Sequence, residues 1–596
     1  MDIYNSRSDT VQFCIYEPGD RLYWFSLYPG GAARATLAPG AKFTWTGAGT
    51  RPSVQVVFFV NGAKVGPRLV PCTAITIDQG GNILNGAPRQ PSVKDAIHHV
   101  VVLMLENRSF DNVLGWLYAD SSNRPPRNIP ASANPTFDGL VNGEYWNTIP
   151  ASSHDAPGAG RVVATRGVTN TPWYQQPNPN PREDYPSFLE QMFGTEGPGP
   201  GARANMSGFL ANYAKADPAN PQRIMQSYSP EQLPVLSQLA KAYAVCDRWF
   251  SPIPCETWPN RSFLHAGTSF GRLNNGDKLY EDADPVPNLT FYGGRRTVFD
   301  ALDAHQVSWK VYHDTIAGPS LTSTQFWTVW QKLTHAAAPL TEFERAAKAG
   351  TLPAYSFIEP EFMLGANDQH PGPGCDMRRG EDLILRVWNA VSQGLKWNNT
   401  LLVITYDEHG GCYDHVPPPA TAVPPDNSAP QFDMPGFSPF RQFGPRVPAV
   451  VISPLIEPGT VFRAPRGGTE YDHTSILATI RDWVFRPENG YPGVPGDWLP
   501  SARIAAAPTL WPVLTRTAPR TDKPAIQRSA PRALDTPSVI EQPLLQENSL
   551  QVALAVEADA LLHAGLATRP AAAGAIDADA WKQLTDVAIA RHVQPG

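Results

Sequence analysis

The sequence predicts an α/β protein whose centre is a mainly parallel sheet with helices on both faces, preceded by a small β-sandwich and followed by a helical tail. Short apolar runs bounded by turn residues, at 98–105, 307–313, 354–359, 400–406 and 447–453, read as buried strands. Helix-period patterns near 232–245, 296–305, 324–349, 380–394 and 473–485 lie between them. Such alternation is the pattern of strand–helix–strand crossovers, which make parallel sheets. Both ends of the chain differ in texture from this middle.

Residues 1–90 carry β-type runs, Thr10–Glu17 (TVQFCIYE) and Ser53–Val60 (SVQVVFFV), the second followed by the hairpin signal Asn61-Gly62. With frequent aromatic residues and no helix pattern, this is read as a β-sandwich domain. Residues 92–515 form the central domain, within which the Pro/Gly/Asn-rich stretch 118–205 reads as an insertion rather than framework. Residues 516–545 are a proline-rich linker or strap, and 546–596 return to helical periodicity, with Asp577 and Asp579 at a helix start and Arg591 and His592 at its end.

Composition narrows the function classes. Sixty-two prolines among 596 residues, about twice the usual roughly 5%, imply many ordered loops. Net charge is 48 − 55 = −7, with no long basic block, which argues against nucleic acid as a partner. No apolar run reaches the length of a membrane span, so no transmembrane segment is expected. The start, MDIYNSRSDTVQ, shows no basic and apolar leader, which leaves either a cytoplasmic protein or one exported by a signal-independent route. Six cysteines without a CxxC pair are read as reduced buried thiols, with a Cys375–Cys412 bridge as the alternative.

Two strands end alike. Val100–Leu105 stops at Glu106-Asn107-Arg108-Ser109, and Leu401–Tyr406 stops at Asp407-Glu408-His409-Gly410-Gly411. In an open α/β sheet, ligand-binding groups collect at the carboxyl ends of strands. Adjacent strands would place Glu106, Asn107, Asp407 and Glu408 around one point, and three carboxylates there require a cation or shared protons. Oxygen-rich clusters suit a hard or borderline divalent metal. Taken singly, each strand end reads equally as an ordinary polar cap.

Between them lies SPIPCETWPNRSFLHAG (251–267), in which Thr257 opens a helix pattern held by prolines. Helix N-termini attract anions, and a hydroxyl beside a divalent metal can be deprotonated and aimed at phosphorus. By itself Thr257 reads as a helix cap or a buried hydroxyl.

Five segments in order, ENRSFDNVLGW (106–116), TWPNRSF (257–263), NDQHPG (367–372), YDEHGGCYDHV (406–416) and EYDHTSI (470–476), resemble the phosphoesterase family of bacterial phospholipase C, plant non-specific phospholipase C and acid phosphatase A-type enzymes. The resemblance spans roughly residues 95–510. It implies an alkaline-phosphatase-like fold and one divalent metal ion, zinc or calcium, held by Glu106, Asn107, Thr257, Asp407 and Glu408. It also implies Thr257 as nucleophile, attacking phosphorus to form a phosphothreonine that water hydrolyses.

Histidines in such sites bind phosphoryl oxygens or protonate the leaving alkoxide. His370 is the best match, with His313 next and His473 inside a family motif; a strand-end histidine and a helix-capping one are the alternative readings of the last two. His409, Asp414 and His415 are expected to order the DEHGG loop behind the ligands. Arg108 and Arg261 either hold phosphate or pair with the site carboxylates, the second being preferred. One departure stands out: many relatives carry a histidine in the insertion before the nucleophile, where this chain reads PNPNPREDYPSF (177–188).

The expected function is therefore metal-dependent hydrolysis of phospholipid phosphodiesters, phospholipase C fashion, with transient contact to a membrane surface. A phosphomonoesterase of acid phosphatase type, acting on small phosphate esters, is the first rival. A surface-binding protein acting through its N-terminal β-domain, with an inactive core, is the second.

Overall fold

The structure is a computed structural model that describes residues 1–16, 35–44, 53–60, 63–71, 73–77, 83–85, 92–119, 123–148, 160–167, 173–199, 201–275, 292, 295–314, 320–332, 337–362, 366–426 and 437–528. Asn61-Gly62, most of the proline-rich linker and the whole C-terminal helical region lie outside the described residues. The chain divides into two compact units, Met1–Ser92 and Val93–Gly596.

In the first unit the described strands form two four-stranded sheets. Ser53–Val60 pairs antiparallel with Ala63–Pro71 and with Val11–Tyr16, while Asp2–Asn5 pairs with Ala74–Ile77. Alternation along the strands sends Ile3, Phe13, Ile15, Val54, Val56, Phe58, Ile75 and Ile77 into one apolar core.

The second unit is built on a nine-stranded sheet. Its strands, in chain order, are β1 (His99–Leu105), β2 (Arg127–Ile129), β3 (Ala244–Cys246), β4 (Trp309–His313), β5 (Ala337–Pro339), β6 (Tyr355–Glu359), β7 (Thr400–Tyr406), β8 (Ala449–Ile452) and β9 (Thr460–Phe462). Across the sheet they run β2-β9-β3-β8-β7-β1-β6-β4-β5. Only β8 is antiparallel to its neighbours, β3 and β7. All seven residues of β7 and six of seven in β1 are buried. Because successive side chains point to opposite faces, burial of every residue means that both faces are covered.

Helices α1 (Pro234–Ala242), α2 (Thr257–Ala266), α3 (Leu340–Ala349), α4 (Met377–Ser392) and α5 (Thr474–Val484) supply much of that cover. They form two groups, α4 packing on α1 and α3, and α2 packing on α5. Among the described residues no helix is long and apolar enough to cross a membrane.

Three expectations are corrected here. The pattern at 232–245 is a helix only to Ala242; Ala244–Cys246 is drawn into the sheet between β8 and β9. The pattern at 324–349 is broken into a turn of helix at Trp327–Trp330, the edge strand β5 and helix α3. Pro339 is the reason: its fixed φ and missing N–H suit a helix start, not a helix interior. The stretch 118–205 is not purely insertion, because Arg127–Ile129 is the edge strand paired with β9. The described cysteines 14, 246, 255, 375 and 412 are free and buried, so no Cys375–Cys412 bridge forms.

Candidate active site

The site is built at the carboxyl ends of the two central strands. β1 and β7 are parallel neighbours in register, with Leu105 opposite Tyr406, so Glu106 and Asp407 leave the sheet side by side. The Asp407 N–H still donates to Leu105 O at 3.3 Å, while the Glu106 N–H has turned to Asp368 O at 2.9 Å. Asn107 follows with φ +56°, a left-handed conformation that asparagine tolerates better than most side chains. This turn aims its backbone N–H at Asp407 Oδ1 (3.1 Å) and its side-chain Oδ1 at the Thr257 hydroxyl, which donates to it at 3.3 Å. A Cβ on Gly410 would lie 2.0 Å from Asn107 O, so the glycine after Glu408-His409 is what lets the two strand-end loops close on each other.

Thr257 is the first residue of α2, and all ten residues of that helix are buried. Four residues further on, one turn along the same face, Arg261 reaches the carboxylates. Its Nε donates to Asp407 Oδ2 at 3.1 Å and its Nη2 to Glu106 Oε1 at 3.3 Å. Arg261 therefore pairs with carboxylates, the preferred of its two readings.

One guanidinium is shared between Glu106 and Asp407, and Glu408 has no such partner among the ion pairs of the described residues. Burial pushes Glu106 well above the ordinary carboxylate range, and neighbouring Asp407 adds to the push while Arg261 opposes it. Glu408 is raised for the same first reason, with Glu183 and Asp407 adding to it. Glu408 Oε2 accepts from the Gly410 N–H at 2.6 Å. Glu106 Oε2 and Glu408 Oε1 have no hydrogen-bond partner. A buried anionic oxygen left bare is costly, and two of them beside the oxygens of Asn107, Thr257 and Asp407 fit a divalent cation.

Among the described residues, the trio of ligand atoms that lie within 4.8 Å of one another is a different one: Asp111, Asp414 and His415. That trio is already balanced by protein cations. Arg446 donates to Asp111 Oδ1 and Asp414 Oδ1, both at 2.9 Å, and His415 Nδ1 lies 2.6 Å from Asp111 Oδ2. Glu106, Asp407 and Glu408 do not meet that spacing, and Arg261 bridges the first two.

The histidines divide. His370 stands at the site: its Nε2 is 3.0 Å from Asn107 Nδ2 and 3.3 Å from Glu183 Oε1. One ring nitrogen cannot accept from the amide and donate to the carboxylate at once, and the ion pair is the stronger interaction. Burial alone would lower the His370 pKa; Glu183, and behind it Glu106 and Asp368, raise it to about 10.

His473 is also buried here, but both its nitrogens are occupied. Nε2 lies 2.7 Å from Asp407 O, and Nδ1 accepts from Trp249 Nε1 at 3.2 Å. It therefore holds the Asp407 backbone and has no nitrogen left for phosphate, which corrects its catalytic assignment. His313, last residue of β4, lies opposite Glu359 in the next strand, and no hydrogen bond or ion pair among the described residues joins it to Thr257 or the carboxylates. Its buried Nδ1 has no hydrogen-bond partner.

His409 packs between Phe188 and Phe209, with Nε2 at 2.8 Å from Gln191 Oε1, and burial lowers its pKa to about 3. Arg108 does neither thing expected of it. Its guanidinium bonds Gln369 O at 2.7 Å, Gln176 O, Asn112 Oδ1 and Cys375 Sγ, tying three loops together below the site.

Asp414 and His415 belong to a separate knot that pins the DEHGG loop to the segment after β1. Asp414 Oδ2 accepts from the Asp111 N–H (3.2 Å), and the His415 N–H donates to Asp111 Oδ2 (2.7 Å). Burial would depress the His415 pKa, yet Asp111 and then Asp138 raise it to about 9. A pKa raised above its unfolded value stabilises the fold fully below the unfolded value and progressively less as pH climbs through the folded one. Wild type is accordingly expected to lose on the order of 2 kcal/mol of unfolding free energy between about pH 6.5 and 9 relative to His415→Asn. Urea titrations at a series of pH values would show it, and parallel curves for the two proteins would exclude it.

The sequence alone missed Glu183, Asp111, Asp138, Asp368 and Arg446. Asp111 lay inside a quoted segment without a role, and Glu183 lay in the stretch noted only for lacking a histidine. Arg446, in the run GPRVP, carried no signal at all.

Residues 97–484 match the model of a family described as the Phosphoesterase family. Over 442 residues the chain is 35% identical to non-specific phospholipase C6 of Arabidopsis thaliana, covering 72% of this chain and 74% of that protein. Over 423 residues it is 27% identical to phospholipase C A of Mycobacterium tuberculosis, covering 66% and 74%. Among solved structures, a phosphonate monoester hydrolase of Agrobacterium radiobacter overlaps 48% of this chain and 72% of its own, with 13% identity and a TM-score of 0.26, a likeness too slight to argue from.

Proposed function

We propose, from the premise that the chain belongs to the Phosphoesterase family and is a phosphoric ester hydrolase, that it cleaves phospholipid phosphodiesters in phospholipase C fashion with Thr257 as nucleophile. The observation that carries the site is the pair of bare buried oxygens, Glu106 Oε2 and Glu408 Oε1, beside a hydroxyl held at the start of a helix. The substrate class is supported by the plant and bacterial relatives, which are named as phospholipases C. We read the unit 93–515 as the catalytic domain, of alkaline-phosphatase-like architecture, and the two N-terminal sheets as a sandwich.

Glu106, Asn107, Thr257, Asp407 and Glu408 would hold one divalent ion. Bound there, it would favour the Thr257 alkoxide and offset charge on the phosphate oxygens. The chain's own groups divide the remaining tasks. Asn107 Oδ1 orients the Thr257 hydroxyl through the 3.3 Å hydrogen bond, keeping Oγ1 aimed from the helix start. The dipole of that helix favours an anion in front of Thr257, while the Trp258 N–H is taken by Asn275 Oδ1 at 2.8 Å and Pro259 has none. Arg261 fixes Asp407 and Glu106, and His473 fixes the Asp407 backbone, so the carboxylates keep their places. His370, with Nδ1 on Pro371 O at 2.7 Å and Nε2 facing Glu183, would donate to a phosphoryl oxygen or to the departing alkoxide by exchanging its Glu183 contact for the substrate.

The direct test is hydrolysis of phosphatidylcholine and of p-nitrophenyl phosphate, with and without a chelator. Diacylglycerol release that stops on chelation and returns with divalent ion is expected. Turnover of the aryl phosphate alone would move the protein to the phosphomonoesterase reading, and chelator-resistant turnover would remove the ion from the site.

A further inference from the structure

The segment after β2 leaves two large apolar side chains in solvent. Trp146 is 45% exposed and Val141 42%, and among the described residues of the second unit only Leu395 and Val494 are comparable. Register explains how Trp146 comes to face outward. Trp146–Thr148 pairs antiparallel with Arg161–Val163, with Trp146 opposite Val163 and Thr148 opposite Arg161. Side chains alternate between the two faces of such a ribbon. Asn147 therefore turns inward, where its Nδ2 donates to Met206 O at 2.9 Å and its Oδ1 accepts from the Leu210 N–H at 3.2 Å. Trp146 and Arg161 turn outward together, the guanidinium 4.6 Å from the centre of the aromatic ring. Among the described residues no carboxylate pairs with Arg161.

This ribbon is fastened to the DEHGG loop from two sides. Tyr145, next to Trp146, lays its ring on His415 with centroids 4.0 Å apart, and Asp138 Oδ1 stands 3.3 Å from His415 Nε2. On the inner side, Met206 and Leu210, which hold Asn147, flank Phe209, whose ring lies 5.9 Å from that of His409. The outward face is thus joined through packed side chains to the loop that carries Glu408. We propose that the Trp146–Arg161 face seats the protein on a zwitterionic lipid surface and so brings the DEHGG loop to the bilayer. The inference rests on the reading of phospholipid as the substrate.

An indole ring favours the headgroup level of a bilayer, where its body meets acyl chains and its N–H stays wet. Arg161, over the ring and without a carboxylate, offers its N–H groups to lipid phosphate. Its stem adds apolar cover. Glu144, exposed between Val141 and Trp146, contributes a charge of the opposite sign. One cation and one anion match a phosphocholine surface, which carries both, whereas an anionic leaflet selects clusters of basic residues. A specific protein interface engages roughly 20–30 residues a side. A bilayer can be met by a few side chains on a rigid support, which is what this ribbon presents.

Flotation with phosphatidylcholine vesicles, on ice, measures the partition without requiring turnover. Wild type is expected to float with the vesicles, and Trp146→Ala to partition about tenfold more weakly. Trp146→Phe, which keeps an aromatic body, should stay close to wild type. Hydrolysis supplies the second readout. On dihexanoylphosphatidylcholine below its micelle concentration, wild type and Trp146→Ala are expected to turn over equally, while on vesicles the apparent KM of the variant rises by about the same tenfold. A merely structural role would lower turnover on monomers and vesicles by one factor, and that result would overturn the proposal. So would Trp146→Ala floating as wild type does. Wild type failing to float, a readout that needs no variant to fold, would also overturn it and give the face to a protein partner. If Trp146 governs flotation while phosphatidylcholine is not cleaved, only the substrate reading falls; if lipid is cleaved and flotation ignores Trp146, only the docking face does.

Discussion

Thr257→Ala is expected to reduce ester hydrolysis by about 10⁴-fold or more, on lipid and aryl substrates alike, since it removes the atom that attacks phosphorus. The fold should survive. Thr257 is buried at the first turn of a helix whose other contacts do not depend on it, and its hydroxyl makes one 3.3 Å bond to Asn107 Oδ1. Loss of one such bond costs about 1 kcal/mol. Thr257→Ser keeps the hydroxyl and should retain measurable turnover, and rapid acid quench of wild type should trap phosphate on residue 257. A Thr257→Ala protein within tenfold of wild-type activity would end the nucleophile assignment, leaving the metal and substrate readings to stand or fall separately.

Arg446→Met should have the largest effect on stability, a loss of about 3–5 kcal/mol. Arg446 is fully buried, and its guanidinium answers Asp111, Asp414 and the backbone carbonyls of Asp138 and Asp247 at once. Replacing a whole buried ion pair by apolar groups can be neutral, but removing one member strands the others without solvent. Methionine approximates the volume and keeps contact with the Phe110 ring over which the guanidinium lies, so the measured loss would report mainly charge and hydrogen bonds. The denaturation midpoint should fall with little change in slope. An unchanged midpoint would show that the Asp111–Asp414–His415 knot is held by something else.

Much of this protein is legible in its residues taken in order. β1, β6, β7 and β8 announce themselves because strands buried on both faces read as short, mostly apolar runs, while β4, only partly buried, shows through its β-branched and aromatic residues. The order of the five motif segments pointed to the family that the comparisons then showed. Where local pattern misled, a nonlocal partner or a proline decided. The helix pattern at 324–349 ran through Pro339, and the one at 232–245 ran through residues that the sheet claims between β8 and β9. Legibility of the site differed residue by residue. Arg261 was legible as two readings, phosphate or carboxylates with the second preferred, and the ion pairs with Glu106 and Asp407 decide it. The partners of Arg108 and His473 were not legible, because a side chain's partner is set by which loops fold over it.

By itself, then, the sequence determined the strands that form the centre of the sheet, the carboxylates at their tips and the hydroxyl that opens α2, since each follows from local periodicity or adjacency. Only the tertiary structure decided what those groups face. It paired Arg261 with Glu106 and Asp407, turned both nitrogens of His473 away from the ligand space, and carried Glu183 from a distant strap onto His370. Charge interactions in a buried site depend on distances of a few ångströms between residues separated by up to hundreds of positions in the chain, and no local pattern encodes those distances.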